Sequence, residues 1–175
     1  MSLIYVTGIS GAGKSEVRKE LQKRGYEAHG TDEDGLAAFY NRSTDKMVVP
    51  PPNATGRNPR WRLNHAWKVR RDKIEELATK AEDKPIFLCG VVENDNEVWD
   101  LFSNVVALVL DEETLKHRIQ TRTANDFGQN PHEFEAILGW QKTAKDDYSK
   151  LGATIIDATH PIEQVVDSVL EAAEV

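Results

Sequence analysis

Short apolar runs alternating with longer amphipathic ones predict an α/β fold built on a mostly parallel sheet. Two further observations sharpen that prediction. A Gly-rich run from Gly8 to Ser15 stands between the first apolar run and the first helix-like segment, and glycines and prolines fall where helices should end and begin. With 175 residues and 39% hydrophobic content, the chain can bury one good core and is too short for two ordinary domains. A single domain spanning 1–175 is expected.

The first apolar run predicts a strand from Leu3 to Thr7, and the segment after the Gly-rich turn predicts a helix from Lys14 to Arg24 that stops at Gly25. A second strand is expected from Tyr26 to Gly30. The period of the next amphipathic stretch predicts a helix from Arg62 to Ala81, followed by an apolar strand from Pro85 to Gly90. Val105 to Leu110 reads as the fourth strand and Asp111 to Arg122 as its helix. Pro131 opens a helix that runs to Leu151 and halts at Gly152, Ala153 to Asp157 forms the fifth strand, and Pro161 opens the last helix, to Ala173. The segment Asn41 to Arg60 breaks this order. It holds Pro50, Pro51, Pro52, Asn53, Gly56 and Pro59 without any period, and long loops of this kind in compact domains are usually functional, so a substrate loop is expected at about 41–60.

Charge and cysteine content exclude several classes. A formal net charge of −7 supplies no basic field for nucleic acid or an anionic membrane. The only cysteine, Cys89, sits in the run Pro85 to Cys89, which excludes an intramolecular disulfide and a cysteine-based zinc site and suggests a core filler. No basic-then-apolar leader opens the chain, and no apolar stretch approaches the roughly 18 residues of a membrane span. A cytoplasmic location is expected, as a monomer or homodimer.

Gly8-Ile9-Ser10-Gly11-Ala12-Gly13-Lys14-Ser15 spells G-x-x-x-x-G-K-[ST]. Its glycines permit a tight turn that aims successive N–H groups, and the positive end of the next helix, at a polyphosphate. Residues Gly8 to Glu16 are therefore expected to hold ATP, with Lys14 reaching the β- and γ-phosphates and the Ser15 hydroxyl ligating magnesium. At the end of the second strand, Thr31-Asp32-Glu33-Asp34-Gly35 puts three acids where open α/β sheets hold their ligands. Asp32 suits a metal ligand or the base for an attacking hydroxyl, and Asp34 suits orienting the acceptor; capping a helix that begins near Gly35 is the plainer role. Arg118 and Arg122, four apart, share one helix face, where guanidinium groups can stack on adenine, fork onto phosphates, or simply answer the helix dipole. The polar, glycine-containing stretch 123–130, bounded by Pro131, reads as a short lid.

On the acceptor side, Arg57, Arg60 and Arg62 are interleaved with Trp61 and followed by Trp67, Arg70 and Arg71. That mixture suits an anionic or planar acceptor, and an amphipathic helix with buried tryptophans and solvated cations explains it equally well. Gly90 would permit close approach of a substrate to the third strand's end, with Glu93 or Asn94 bonding its hydroxyls, unless these residues only cap a turn. His65, His117, His132 and His160 share no metal-ligand spacing and read as surface residues, while His29 lies beside the acids.

With phosphate cradle, post-strand acids and paired arginines together, the sequence resembles the P-loop small-molecule kinases: the nucleoside monophosphate kinase group and its shikimate- and gluconate-kinase-like relatives. The resemblance runs nearly the whole length. It implies a three-layer P-loop NTPase fold, with a five-stranded parallel sheet of order 2-3-1-4-5 flanked by helices. It further implies that Arg118 stacks on adenine, that Arg122 contacts the transferring phosphates, and that the Asp157 to Ile162 loop wraps the adenine edge with Thr159, His160 and Pro161. Asp32 and Asp34 resemble the D-x-D of shikimate kinase, whose first acid serves the metal site and whose second binds the acceptor hydroxyl. The triple-glycine run of shikimate kinases is missing, leaving only Gly90, and the lid has no cysteine pairs for zinc.

The expected function is an ATP-dependent, magnesium-requiring transfer of the γ-phosphoryl group to a small acceptor, a hydroxyl compound or a nucleoside or nucleotide. Lys14, Asp32 and Arg122 would be catalytic, and Asp34, Arg60, Arg62, Gly90, Glu93 and Asn94 would meet the acceptor. The alternative is a nucleotide switch or slow ATPase without an acceptor. Asp32 to Gly35 does spell D-x-x-G, yet no N-K-x-D base-reading motif occurs.

Overall fold

A computed structural model describes residues 2–52, 56–123 and 126–175. In chain order its elements are β1 (Leu3–Thr7), α1 (Lys14–Lys23), β2 (Glu27–Gly30), β3 (Ala37–Asn41), β4 (Met47–Val48), α2 (Pro59–Asn64), β5 (His65–Val69), α3 (Arg71–Lys80), β6 (Ile86–Cys89), β7 (Asn104–Val109), α4 (Glu112–Thr121), α5 (Pro131–Lys150), β8 (Thr154–Asp157) and α6 (Ile162–Ala173), with 3-10 turns at 95–97 and 99–101 before β7.

Five strands pair in parallel in the order β2-β6-β1-β7-β8. Numbered within this sheet alone, that is the expected 2-3-1-4-5 arrangement of a P-loop NTPase. The central strand β1 is buried along all five residues, with Tyr5 between Leu88 and Val105. A parallel sheet covered on both faces needs such unbroken apolar strands, which is why this one is so plain in the sequence. One face packs Ile4, Val6, Phe87 and Leu108 against Val17 and Leu21 of α1, Leu115 and Ile119 of α4, Ile137 of α5 and Val166 and Val169 of α6. The other packs Leu3, Tyr5, Leu88 and Ala107 against Ile74 and Leu77 of α3 and Val98 of the 3-10 region.

The helices start where the chemistry of their first turns dictates. Asp111, Asn130 and Asn58 each turn a side-chain oxygen to a first-turn N–H, of Thr114, Glu133 and Trp61 respectively, and proline follows the cap in α2 and α5.

Three expectations change in the segment between β2 and α3. The helix expected over 62–81 is three elements: α2 ends at Asn64, β5 occupies 65–69, and only α3 continues the helical period. The loop expected over 41–60 begins at the end of β3, carries β4, and ends inside α2; its residues 53–55 lie outside the described set. No helix begins near Gly35 either, for β3 follows instead. The cause is tertiary pairing: β3 aligns antiparallel with β5 from Ala37 opposite Val69 to Asn41 opposite His65, and with β4 through Phe39 opposite Val48. Phe39 packs on Trp67 at 4.7 Å and on Trp61 at 4.8 Å between ring centres, and such contacts override a weak local helix preference. Ala37 and Val69 anchor this small sheet in the second core. Asn94, 4% exposed, locks it further, because its side chain accepts from the Val69 N–H and donates to the Val69 carbonyl, each at 3.0 Å.

Candidate active site

The turn between β1 and α1 takes backbone angles that only glycine adopts freely, with φ of 142° at Gly8, 90° at Gly11 and 100° at Gly13. A Cβ on Gly8 would also lie 2.6 Å from the Leu108 carbonyl oxygen, so the loop rests directly on β7. Inside it, the Lys14 ammonium group donates to the carbonyls of Gly8 at 2.7 Å and Ile9 at 2.8 Å. Loss of water around that ammonium pushes Lys14 down to about 8, with Asp32 the largest opposing influence.

Ser15 Oγ donates to Glu33 Oε1 at 2.8 Å. Glu33 folds back over Gly30, where a Cβ would sit 2.0 Å from Oε2, and Arg18 flanks it at 3.5 Å. The acid beside the cradle's hydroxyl is therefore Glu33, whereas Asp32 accepts from the Thr31 hydroxyl at 2.8 Å and lines the same cavity. Asp34 is turned to the backbone: it accepts from the Gly30 N–H at 2.7 Å, lies 3.9 Å from Arg18 and 3.8 Å from His29, and does not line the cavity.

Both arginines of α4 reach the loop. Arg118 donates to the Ala12 carbonyl at 3.2 Å and the Ala158 carbonyl at 2.7 Å, tying the loop to the β8–α6 connection. Arg122 donates to Ser10 Oγ at 3.0 Å, and its Nε and second terminal nitrogen are buried without a partner among the described residues. Burial lowers its pKa, opposed by Glu133 and Asp126.

Lys14, Ser15, Asp32, Glu33, Arg118 and Arg122 line one cavity of about 1060 Å³, and the expected Gly8 does not. Its lining takes in Ser10 to Val17, Arg118, Ala158 and His160, together with Thr31, Asp32, Glu33, Phe39, Trp67, Gly90, Glu93, Arg57, Arg62 and Phe127. Other expected residues have different surroundings. Arg60, Asn94, Thr159 and Pro161 do not line the cavity, although Thr159 is fixed by Asp157, which accepts from its N–H at 2.9 Å and its hydroxyl at 2.6 Å. The close approach at Gly90 is to Thr31, whose Oγ1 would stand 2.0 Å from a Cβ there. Glu93 accepts from the Trp67 N–H at 3.0 Å and pairs with Arg42. Arg62 pairs with Glu133 and lies 4.6 Å over the Phe127 ring. Cys89, 3% exposed, is set into the cavity wall itself, and burial pushes its thiol up to about 12. His65 is half-buried and stacked on Trp61 rather than fully at the surface. Residues 124–125 of the expected lid lie outside the described set.

Three side chains escaped the sequence reading. Glu33 was hidden by the equal claim of Asp32, and its signal is Gly30, which leaves room for a carboxylate to fold back. Phe39 lies in a strand too short to show its period. Glu133 occupies the third position after the Asn130 cap, where an acid normally serves the helix start, and that ordinary explanation conceals its pairing with Arg62.

The donor set fits magnesium, since the Ser15 hydroxyl and carboxylates at its side are hard oxygen ligands. Among the described residues no three His, Cys, Asp or Glu side chains converge on a metal cage. Magnesium commonly uses only one or two carboxylates and completes its shell with water and substrate phosphates.

Residues 4–137 match the family described as an AAA domain. No curated protein sequence matches the chain. Among solved structures, shikimate kinase from Acinetobacter baumannii in complex with shikimate aligns with a TM-score of 0.60 at 16% identity, over 98% of this chain and 92% of that one. A gluconokinase from Sinorhizobium meliloti aligns at 0.55 and 16% identity over 99% and 91%. Deoxyadenosine kinase from M. mycoides with bound dCTP aligns at 0.55 and 17% identity over 97% of each chain. These likenesses are of fold, a P-loop NTPase sheet of this strand order flanked by helices. No helix among the described residues is long and apolar enough to cross a membrane.

Proposed function

Because the chain belongs to the AAA domain family, and its fold is that of the P-loop kinases, we propose that it is an ATP-dependent phosphotransferase acting on a small acceptor. The observation that carries this reading is Arg122: a half-buried guanidinium, two of whose nitrogens have no hydrogen-bond partner among the described residues, lining the cavity that the glycine loop shares with Phe39 and Trp67. Unpaired donors are costly, and a small turn of this side chain toward an anionic oxygen in the cavity would satisfy them.

In this reading the amides of Gly8 to Ser15 cradle the polyphosphate, with Glu16 at the helix start, while Arg118 and the connection through Thr159, His160 and Pro161 flank the base. Lys14, raised back to full charge beside phosphate, draws electron density toward the leaving oxygens. Ser15 and Glu33 would hold magnesium, which would neutralise phosphate charge, leaving Asp32 free to act as the base. The acceptor hydroxyl lies against Thr31, Phe39, Trp67 and Glu93, and Asp32 takes its proton as the new P–O bond forms and the bond to ADP breaks. Arg122 spreads the charge that develops on the transferring group. The wall between β3 and β5 gives the acceptor a shaped, partly apolar seat from which water is displaced.

The test is ADP release from wild type and Lys14→Met across a panel of nucleosides, nucleotides, sugar acids and aminoglycosides, with magnesium. The reading predicts a rate that rises with one acceptor class and vanishes in the variant. Hydrolysis at the same rate with every compound and with none would overturn it in favour of a slow nucleotide switch.

A further inference from the structure

Glu133 is 4% exposed, an unusual depth for a carboxylate, and it joins three parts of the molecule. One oxygen pairs with Arg62 at the end of α2, and the other accepts from the Gly128 N–H at 2.9 Å. Arg62 meanwhile covers the Phe127 ring at 4.6 Å. The contacts continue inward. The Gln129 side chain donates to the Arg122 carbonyl at 2.9 Å, and a Cβ on Gly128 would lie 3.5 Å from an Arg122 nitrogen, so the 127–129 turn packs on the arginine itself. A second tie runs alongside, from Arg57 to Asp126 at 2.7 Å, with Arg57 also holding the Pro51 carbonyl at 3.0 Å.

Given the donor-site reading above, on which this inference rests, we propose that Arg62 and Glu133 are positioning residues that couple the β3–β5 module to Arg122, so that the γ-phosphate is gripped fully only when the module and the 127–129 turn are joined. A buried carboxylate stripped of its counter-charge is strongly disfavoured. Glu133 therefore stays against Gly128 only while Arg62 meets it, and the turn that holds Arg122 depends on the module in the same way. Glu133 and Asp126 also sustain the Arg122 charge against burial. An acceptor seated against Phe39 and Trp67 stabilises the module that presents Arg62. Acceptor binding and phosphate grip are thereby linked, which limits transfer to water.

Calorimetric titration with magnesium-ADP and with magnesium-AMP-PNP tests this, because the ratio of the two affinities reports the grip on the terminal phosphate. Arg122→Ala should lower the preference for AMP-PNP by about tenfold, the scale of a charged hydrogen bond. Glu133→Gln, and Arg62→Met combined with Glu133→Gln, which leaves no unpaired buried charge, should lower it to a similar extent while ADP affinity holds. Neither change should lower it further in the Arg122→Ala background. A wild-type ratio in the double variant would overturn the coupling, as would equal losses for both nucleotides, the mark of a merely structural role. Wild type that takes up neither nucleotide would overturn the donor-site reading instead.

Discussion

Raising the pH from 7 to 9 should weaken nucleotide binding about tenfold, through Lys14 alone. Confinement inside the glycine loop lowers this lysine from 10.5 to about 8, a disfavour of the charged form worth about 3 kcal/mol. A bound polyphosphate restores the charge, so binding must take up whatever proton the free protein has lost. With a free-state value near 8, about nine-tenths of Lys14 is charged at pH 7 and about one-tenth at pH 9, above the phosphates' own ionisation near 6. The dissociation constant should then rise about tenfold across that interval, and titrations at pH 8 in buffers of different ionisation enthalpy should show about half a proton taken up per nucleotide. The sign for stability is opposite. The unfolded chain binds more protons between 8 and 10.5, so this lysine's contribution to the stability of the nucleotide-free protein improves as pH rises through that window. A flat affinity profile without proton uptake would refute the reasoning, as would the same profile in Lys14→Met.

The glycines and the asparagine around the site give three further tests. Gly90→Ala drives a Cβ into Thr31, which is β-branched, 1% exposed and 2.6 Å away at its own Cβ, and should cost about 1–3 kcal/mol in denaturant unfolding; unchanged stability would contradict that packing. Gly30→Ala meets chiefly the flexible end of Glu33, with the Glu33 Cβ at 3.3 Å, so stability should change by about 1 kcal/mol while Glu33 leaves Ser15, and the gain in ADP affinity on adding magnesium should shrink; an unaltered magnesium effect would remove Glu33 from the metal side. Asn94→Ala breaks two hydrogen bonds to Val69 at a buried position and should cost about 2–4 kcal/mol, with faster amide exchange concentrated in β3 and β5; unchanged exchange there would deny Asn94 its clamping role.

The sheet and the glycine loop were legible because their physics is local. A central parallel strand buried on both faces needs an unbroken apolar run, as in Leu3 to Val6, and a phosphate cradle needs its glycines and lysine contiguous in the chain. The spacing of four also anticipated that Arg118 and Arg122 would point the same way, and both reach the glycine loop, Arg122 from just past the last turn of α4. The β3–β4–β5 sheet was not. Its strands are two to five residues long, and its stability comes from pairing across the sheet and from Phe39, Trp61 and Trp67 meeting in space. Trp67, Ile74 and Leu77 also continue a plausible helical stripe, so the period alone favoured one long helix. The choice among Asp32, Glu33 and Asp34 depended on which way each side chain turns after β2, which Gly30 and Arg18 decide in three dimensions.

The most direct measurement follows the label rather than the rate: the protein is incubated with magnesium and ATP carrying an isotopic γ-phosphoryl group, together with the acceptor that most raises ADP release, and every phosphorylated product is identified by mass. The predicted result is one labelled phosphoryl group on the acceptor for each ADP formed, absent with Lys14→Met and sharply reduced with Arg122→Ala. Label appearing only as inorganic phosphate, with each acceptor recovered unchanged, would contradict phosphoryl transfer as this chain's function.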